Sequence, residues 1–107
     1  MKLIVQIPVL NEAATIAGVI RDIPRTIPGI DSVEVLIIDD GCTDNTVEIA
    51  LAEGADFVVR HTGRKGLARA FQTGIDTALR LGADMIVNTD GDHQYPGGEI
   101  PRLIAPL

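Results

Sequence analysis

Apolar residues are arranged in short unbroken runs that alternate with longer stretches in which they recur every three or four positions. Four runs, at residues 2–7, 33–38, 56–60 and 84–88, contain many β-branched residues, as expected for strands buried on both faces of a parallel sheet. The stretches between them predict three helices of about 10 to 16 residues. The pattern therefore predicts a chain that alternates strand and helix and reaches a fourth strand.

Start and stop signals frame the first two predicted helices. Asn11 is expected to cap the first helix, which stops at Pro24. Thr43 or Asp44 is expected to cap the second, with Gly54 just past its end.

The third predicted helix is the longest and closes at Gly82. Four large apolar residues, spaced four apart, predict its buried face. They are Leu67, Phe71, Ile75 and Leu79.

This alternation predicts an α/β fold, a Rossmann-like parallel sheet with right-handed crossovers and helices on both faces. Ligands bind such sheets outside the carboxyl ends of the strands. Polar clusters follow the four predicted strands, at residues 8–12, 39–44, 61–66 and 90–94. Because the carboxyl ends of parallel strands meet at one edge, the four clusters predict a single ligand site.

Composition narrows the class of protein. A chain of 107 residues is one small domain or a part of a larger one, and its net charge of −6 argues against a nucleic-acid partner. Cys42 is the only cysteine, so no internal disulfide can form. No apolar run approaches the ~20 residues of a membrane span. We expect a cytoplasmic domain without a membrane span in this segment.

The Asp90-Gly91-Asp92 segment, after the fourth predicted strand, is the first candidate for chemistry. Carboxylates are preferred ligands of hard divalent cations, and Mg²⁺ is usually held by one or two of them together with substrate phosphates. Gln94 would add a neutral oxygen. Asp-Gly followed by polar residues is also ordinary turn chemistry, but its place opposite three other polar clusters favours a metal site.

Asp39 and Asp40 follow the second predicted strand. They would either favour the start of the next helix through its dipole or accept hydrogen bonds from a nucleoside, as acids do in dinucleotide sites. Asn11 and Glu12, after the first strand, have the same two interpretations, as cap and first-turn acid or as ligand contacts.

The segment of residues 63–66 joins two glycines to Arg64 and Lys65, which suits a phosphate as well as it suits a solvated loop. It lacks the order of a nucleotide P-loop, and no Gly-x-Gly-x-x-Gly follows the first strand, so we do not expect a dinucleotide cofactor. His61 and His93 are expected to be ordinary loop histidines.

In combination, these motifs resemble the N-terminal, nucleotide-sugar-binding part of inverting glycosyltransferases of family two. These enzymes have the A-type fold, and the group in question is the dolichol- or polyprenyl-phosphate mannose synthase-like transferases. The resemblance covers essentially all of residues 1–107. It rests on Ile7-Pro8-Val9-Leu10-Asn11-Glu12, Ile38-Asp39-Asp40-Gly41-Cys42-Thr43-Asp44-Asn45-Thr46, Gly63-Arg64-Lys65-Gly66-Leu67-Ala68 with Gly74, and Asp90-Gly91-Asp92-His93-Gln94.

The resemblance implies a role for each matching position. The base and ribose pocket would be lined by Pro8, Val9, Asn11, Glu12, Asp39 and Asp40. Lys65 or Arg64 would lie near the diphosphate. Asp90, Gly91 and Asp92 would form the Asp-x-Asp motif, with Asp90, Asp92 and Gln94 as candidate ligands of Mg²⁺ or Mn²⁺.

The implied reaction transfers a sugar, with inversion, from a nucleoside-diphosphate sugar to a polyprenyl phosphate or another glycan or lipid acceptor. The metal would stabilise the departing nucleoside diphosphate. The base, the sugar and the acceptor are not determined by these residues. The resemblance adds the inner face of the membrane as an alternative location for the full-length protein.

Two positions depart from the family pattern, because Cys42 stands where Ser is usual and His61 where Asn is frequent. A thiol is a poor hydrogen-bond donor, which weakens any cap or ligand contact at Cys42. At His61, a contact that the Asn amide would make is in doubt. No catalytic base is assignable, since we expect it in an acceptor-binding half beyond Leu107. We expect residues 1–107 alone to bind nucleotide sugar weakly, if at all, and not to transfer sugar.

Two other classes of protein compete with this one. A sugar-phosphate nucleotidyltransferase would need a Gly-rich basic loop after the first strand, where residues 8–12 stand instead. A non-catalytic regulatory module would use Asp39 or Asp40 as a phosphorylation site, but such modules place a single accepting Asp after the third strand. An Asp-x-Asp after the fourth strand has no place in that scheme.

Overall fold

The computed structural model describes residues 1–89, in which four strands alternate with three helices in the predicted order. The elements are β1 (Lys2–Val9), α1 (Ile16–Arg21), β2 (Ser32–Asp39), α2 (Thr46–Ala52), β3 (Phe57–Arg60), α3 (Leu67–Arg80) and β4 (Met85–Asn88). The first two helices are shorter than expected, with six and seven residues.

The strands form one parallel sheet in the order β3-β2-β1-β4, which confirms the predicted α/β class. One apolar cluster joins the odd-numbered residues of β1 to α1 and α2, and a second joins the opposite face of the sheet to α3. Helices therefore cover both faces, and the central strands β1 and β2 are the most deeply buried.

Strand β1 continues two residues past its predicted end, through Pro8 to Val9. The carbonyl of Gln6 accepts a hydrogen bond from Thr89, just after β4, whereas the carbonyl of Val9 accepts one from Asp40, just after β2. The backbone N–H and C=O groups of successive residues in a strand point to opposite neighbouring strands. The backbone nitrogen of Pro8 therefore faces β4, as the carbonyl of Gln6 does. Pairing with β4 ends at Gln6, so no hydrogen bond is lost at the proline.

The predicted buried face of α3 is wrong. Its buried residues are Ala70, Gly74 and Ala78, whereas three of the four large apolar residues are exposed. The exposed ones are Leu67, Phe71 and Leu79, and Ile75 is half-buried. Small side chains allow the helix to lie close to the sheet, and this packing decides the orientation of α3.

Gly74 marks the closest approach of α3 to the sheet. A Cβ placed there would overlap the Gln6 amide oxygen and lie 2.7 Å from its Cδ and 3.0 Å from Ile38 Cδ1. Gln6 is fully buried, and its side-chain nitrogen donates to Asn88 Oδ1 at 3.1 Å. Only glycine leaves room for this arrangement.

The predicted helix caps also need correction. Helix α1 begins at Ile16 with Thr15 as its N-cap residue, so Asn11 does not cap it. Helix α2 has Asn45 at the N-cap position, although Asp44 Oδ1 accepts a hydrogen bond from the Thr46 backbone N–H at 3.0 Å. The expected glycines do follow α2 and α3, with positive φ at both positions.

None of the three helices in residues 1–89 has the length and apolar character needed to cross a membrane.

Candidate functional site

Strand register brings three loops to the same edge of the sheet. Val9 pairs with Asp39, and Asp39 pairs with Arg60, so β1, β2 and β3 end side by side. The loops that follow these strands hold most of the predicted site residues. The prediction that the polar clusters share one edge is therefore correct for the first three clusters.

The first loop is anchored to the second by Asn11 and Glu12. Asn11 has a positive φ of 53°, and its Oδ1 accepts backbone hydrogen bonds from Thr43 at 2.7 Å and Asp44 at 3.3 Å. The backbone N–H of Glu12 donates to Thr46 Oγ1 at 2.9 Å. Asn11 thus organises the start of the second loop rather than a helix of its own.

Asp39 and Cys42 form the turn after β2. Asp39 Oδ1 accepts the backbone N–H groups of Gly41 at 3.0 Å and Cys42 at 2.7 Å, and its Oδ2 lies 3.6 Å from Arg60 Nε. Cys42 Sγ accepts the Asn11 N–H at 3.4 Å and lies 3.7 Å from the Val9 carbonyl. The thiol therefore occupies a hydrogen-bonding position. Partial burial raises its pKa, and the nearby Asp39 raises it further.

Asp40 holds the third loop, residues 61–66, which we call the basic loop. Its Oδ1 accepts the Lys65 backbone N–H at 2.8 Å, and its Oδ2 accepts that of Gly66 at 2.9 Å. Burial alone would raise the pKa of this carboxyl, but hydrogen bonds from His61, Lys65 and Gly66 outweigh burial and lower it. Asp40 is therefore a buried carboxylate whose oxygens bind the loop, and its direct contact with a nucleotide stays a prediction.

Gly41 allows the second loop and the basic loop to approach each other closely. Its φ is +105°, and a Cβ there would lie 3.3 Å from the Arg64 backbone nitrogen. Both the backbone conformation and the close contact require glycine at this position.

His61 has a structural role that the sequence did not indicate. Its Nδ1 lies 2.8 Å from Asp40 Oδ1, and its Nε2 lies 2.8 Å from Thr73 Oγ1 on α3. It is therefore more than an ordinary loop histidine. Its position directly after β3, at the edge that carries the other site residues, was the only sequence signal for this contact.

The two cations of the basic loop point away from this network. Arg64 and Lys65 are both exposed, and no hydrogen bond or ion pair of either side chain occurs within residues 1–89. Lys65 contacts Asp40 through its backbone N–H, so its ammonium group is left for another anion.

A crevice opens beside this network, between the ends of β1 and β4. It has a volume of about 340 Å³ and is lined by Pro8, Leu67, Ala68, Phe71 and Asn88. In this sheet the chain runs outward from β1 to β3 and then returns to the other side of β1, which places the topological switch point here.

Of the two residues predicted to line the nucleotide pocket from β1, only Pro8 borders the crevice. The side chain of Val9 is buried in the apolar cluster under α1 and α2, which leaves little of its surface for a ligand.

The predicted metal ligands Asp90, Asp92 and Gln94, together with Gly91, lie outside the described residues. Within residues 1–89, no three His, Cys, Asp or Glu side chains are close enough to hold a metal ion. Asp39 and Asp40 do not fit a metal, because their oxygens accept backbone N–H groups. The metal site stays a prediction for the segment that follows Thr89.

A parallel sheet in this order, with polar loops at its carboxyl edge and a crevice at the switch point, is the architecture of α/β proteins that bind nucleotides at that edge. The chain belongs to glycosyl transferase family 2, whose model matches residues 4–107. This membership supports neither the nucleotidyltransferase nor the regulatory module.

Relatives place the chain within longer proteins. It is 32% identical over 106 residues to the polyprenol monophosphomannose synthase of Mycolicibacterium smegmatis, covering 94% of this chain and 39% of the relative. It is 30% identical to an uncharacterised protein of Methanocaldococcus jannaschii, covering 99% of this chain and 42% of that protein. The chain thus spans about two fifths of the length of these relatives.

Solved structures agree with the fold. The glucosyl-3-phosphoglycerate synthase of Mycobacterium tuberculosis, in complex with Mn²⁺, UDP and glucosyl-3-phosphoglycerate, matches with a TM-score of 0.75 and 30% identity. That match covers 96% of this chain and 38% of the synthase. S. aureus TarS has the same fold, with a TM-score of 0.68 at 22% identity. The described sheet is therefore the corresponding part of an A-type glycosyltransferase fold.

Proposed function

We propose that this chain is the donor-binding part of an inverting glycosyltransferase that uses a nucleoside-diphosphate sugar and a divalent metal. The observation that carries the proposal is the joining of three loops at one sheet edge, in a chain whose family is established. The basic loop, which leads into Leu67 at the crevice, presents Arg64 and Lys65, whose side chains make no hydrogen bond or ion pair within residues 1–89. The Asp-x-Asp motif follows β4 in the sequence.

In this proposal the nucleotide lies across the carboxyl edge, with its diphosphate near Lys65 and Arg64. Guanidinium and ammonium groups suit a diphosphate, and the exposed position of both side chains supports their assignment. Asp39 and Asn11 shape the adjacent loop, where the base and ribose would bind. Asp40 holds the basic loop through hydrogen bonds from the Lys65 and Gly66 backbone.

Asp90, Asp92 and Gln94 would hold Mg²⁺ or Mn²⁺, which supplies Lewis-acid stabilisation to the departing nucleoside diphosphate when bound. Carboxylates beside a substrate phosphate suit either ion. The Mn²⁺ and UDP in the similar synthase support a divalent metal. The general base and the acceptor contacts would come from residues beyond Leu107.

For the acceptor we propose a polyprenyl phosphate, with another glycan or lipid as the alternative. The support is the likeness to a polyprenol monophosphomannose synthase. The full-length protein would then work at the inner face of the membrane.

Titration with UDP and GDP, with and without Mn²⁺, tests the donor-binding function. Because we expect weak binding, NMR chemical-shift changes are the suitable measurement. One nucleotide should bind only with the metal, and Asp92→Ala should weaken that binding at least about tenfold, the lower end of what an outer-shell substitution costs a metal site.

Asp76→Ala is the matched control, because it removes the same charge from an exposed position on α3. It should leave binding unchanged. Metal-independent binding that Asp92→Ala does not affect would contradict the role of the Asp-x-Asp pair. No binding of either nucleotide by the full-length protein in the presence of Mn²⁺ would contradict the donor-binding function.

A further inference from the structure

We propose that His61 and Thr73 are positioning residues, which act through Asp40 and the basic loop to hold Lys65 and Arg64 in place for the donor diphosphate. This inference rests on the proposed function and assigns its phosphate-binding element. Neither residue needs to touch the ligand.

His61 forms a bridge with a defined geometry. The His61 ring spans from Asp40 at the end of β2 to Thr73 in the second turn of α3, with 2.8 Å at each nitrogen. The His61 side chain is 10% exposed and that of Asp40 6%, so both contacts are largely shielded from water. One ring therefore fixes the distance between a strand end and a helix.

Asp40 binds the basic loop through backbone groups. Asp40 accepts the backbone N–H groups of Lys65 and Gly66, and so fixes the loop through its peptide groups. The acid thus orders the loop and leaves the Lys65 side chain exposed.

The two hydrogen bonds of the His61 bridge can form with either a neutral or a protonated ring. A hydroxyl both donates and accepts hydrogen bonds, whereas neutral imidazole offers one donor and one acceptor. With Nδ1–H donated to Asp40, Thr73 can donate to neutral Nε2 or accept from a protonated one. The bridge therefore persists in both states, and Thr73→Val removes it while Thr73→Ser keeps it.

Order in the basic loop before binding should strengthen its affinity for the diphosphate. A flexible loop loses conformational freedom when it closes on a ligand, and this loss weakens binding. A loop already held at both ends, by Asp40 and through His61, avoids most of that loss. Loss of the bridge should therefore weaken diphosphate binding specifically, because in the proposed site the loop contacts the second phosphate, which a monophosphate lacks.

The experiment combines NMR hydrogen exchange with nucleotide titration of the full-length protein, because residues 1–107 alone are expected to bind weakly. In Thr73→Val and His61→Ala, the Lys65 and Gly66 amides should exchange at least about fivefold faster, since local opening becomes easier. Affinity for the nucleoside diphosphate should fall about tenfold, while affinity for the monophosphate changes less than about twofold. Thr73→Ser should restore both, and the neighbouring exposed Gln72→Ala should change neither.

A double-mutant cycle separates positioning from general stabilisation. Lys65→Ala should weaken diphosphate binding about tenfold in the unchanged chain, but much less in the Thr73→Val background, because the two substitutions remove the same contribution. Fully additive effects, or equal losses for mono- and diphosphate, would overturn the positioning role.

The two proposals fail in different ways. Unchanged exchange of the Lys65 and Gly66 amides in both variants would overturn the bridge and leave the donor-binding function standing. If the full-length protein binds neither diphosphate in the presence of Mn²⁺, the donor-binding function fails, and the ligand part of this inference fails with it.

Discussion

Asp40 shows how one side chain can organise a site without being exposed. It is 6% exposed, and it accepts hydrogen bonds from two backbone N–H groups and from His61. A carboxylate buried without such donors would be costly. Here the donors keep it ionised, and the acid in turn determines the path of the basic loop.

The lowered pKa of Asp40 predicts how stability depends on pH. Because the pKa of the folded state lies below the ordinary value of 3.8, the carboxylate contributes stability above that value and loses it as the pH falls towards the lowered pKa. Asp40→Asn should lower the free energy of unfolding at pH 7 by about 1.5 to 3 kcal/mol. It should also flatten the decline in stability below about pH 4.

Urea unfolding between pH 7 and pH 3 measures both effects. Asp76→Asn, at an exposed position on α3, serves as the control and should follow the unchanged protein. If Asp40→Asn declines as steeply as the unchanged protein below pH 4, the carboxylate does not stabilise the fold as described.

Cys42 occupies a hydrogen-bonding position although it departs from the family pattern. The thiol lies within hydrogen-bonding range of the Asn11 N–H and the Val9 carbonyl, although thiol hydrogen bonds are weak. Its raised pKa keeps it protonated near neutral pH, so it behaves as a small packing and turn residue.

At the scale of elements, α3 shows that steric fit can outweigh hydrophobicity. Two rows of residues spaced four apart run along the helix, one of large side chains and one of small. The small row, Ala70, Gly74 and Ala78, faces the sheet. At Gly74, Gln6 and Ile38 leave no space for a larger side chain. The periodicity predicted the helix correctly and its buried face wrongly.

Gly74→Ala should therefore destabilise the protein, even though alanine has the higher helix propensity. Propensity favours alanine by about 1 kcal/mol, but overpacking in a closed core costs about 1 to 3 kcal/mol. The flexible Gln6 side chain is fully buried and has little room to shift. We expect a net loss of up to roughly 2 kcal/mol in the free energy of unfolding.

Urea unfolding of Gly74→Ala, Gln6→Ala and the double variant measures this effect. The cost of Gly74→Ala should shrink when Gln6 is already truncated, since the clash is then removed. A stabilised Gly74→Ala variant would show that the helix can move away from the sheet at little cost.

At the scale of the whole molecule, the chain is a sheet with a deeply buried centre and a hydrogen-bonded polar edge. Strands β1 and β2 are buried almost throughout, whereas β3 and β4 are only partly buried. The three loops are linked in series, from Asn11 through the second loop to the basic loop.

Hydrogen exchange should reflect this difference in burial. Amides of β1 and β2 should exchange only through global unfolding, and at least about tenfold more slowly than those of β3. Peptide-level mass spectrometry resolves the strands. Slower exchange in β3 than in β1 would contradict the view that β1 and β2 form the stable centre.

The sequence by itself determined the number, type and order of the elements in residues 1–89, the α/β class and the edge at which the polar loops meet. These features depend on short-range periodicity, on strand alternation and on the restricted connections of parallel sheets. The four motifs also led to the correct family. Each of these inferences uses residues close together in the chain or a general rule of topology.

Only the tertiary structure decided which face of α3 is buried. It also decided that Asn11 accepts hydrogen bonds from the second loop, and that His61 joins Asp40 to Thr73. These outcomes depend on pairs such as Asn11 and Thr43, or Gln6 and Gly74, that are far apart in the chain and come together only when the sheet forms. Hydrogen-bond partners and steric fit are properties of such pairs. A local pattern shows that a polar or small residue is present, and the folded arrangement shows what it contacts.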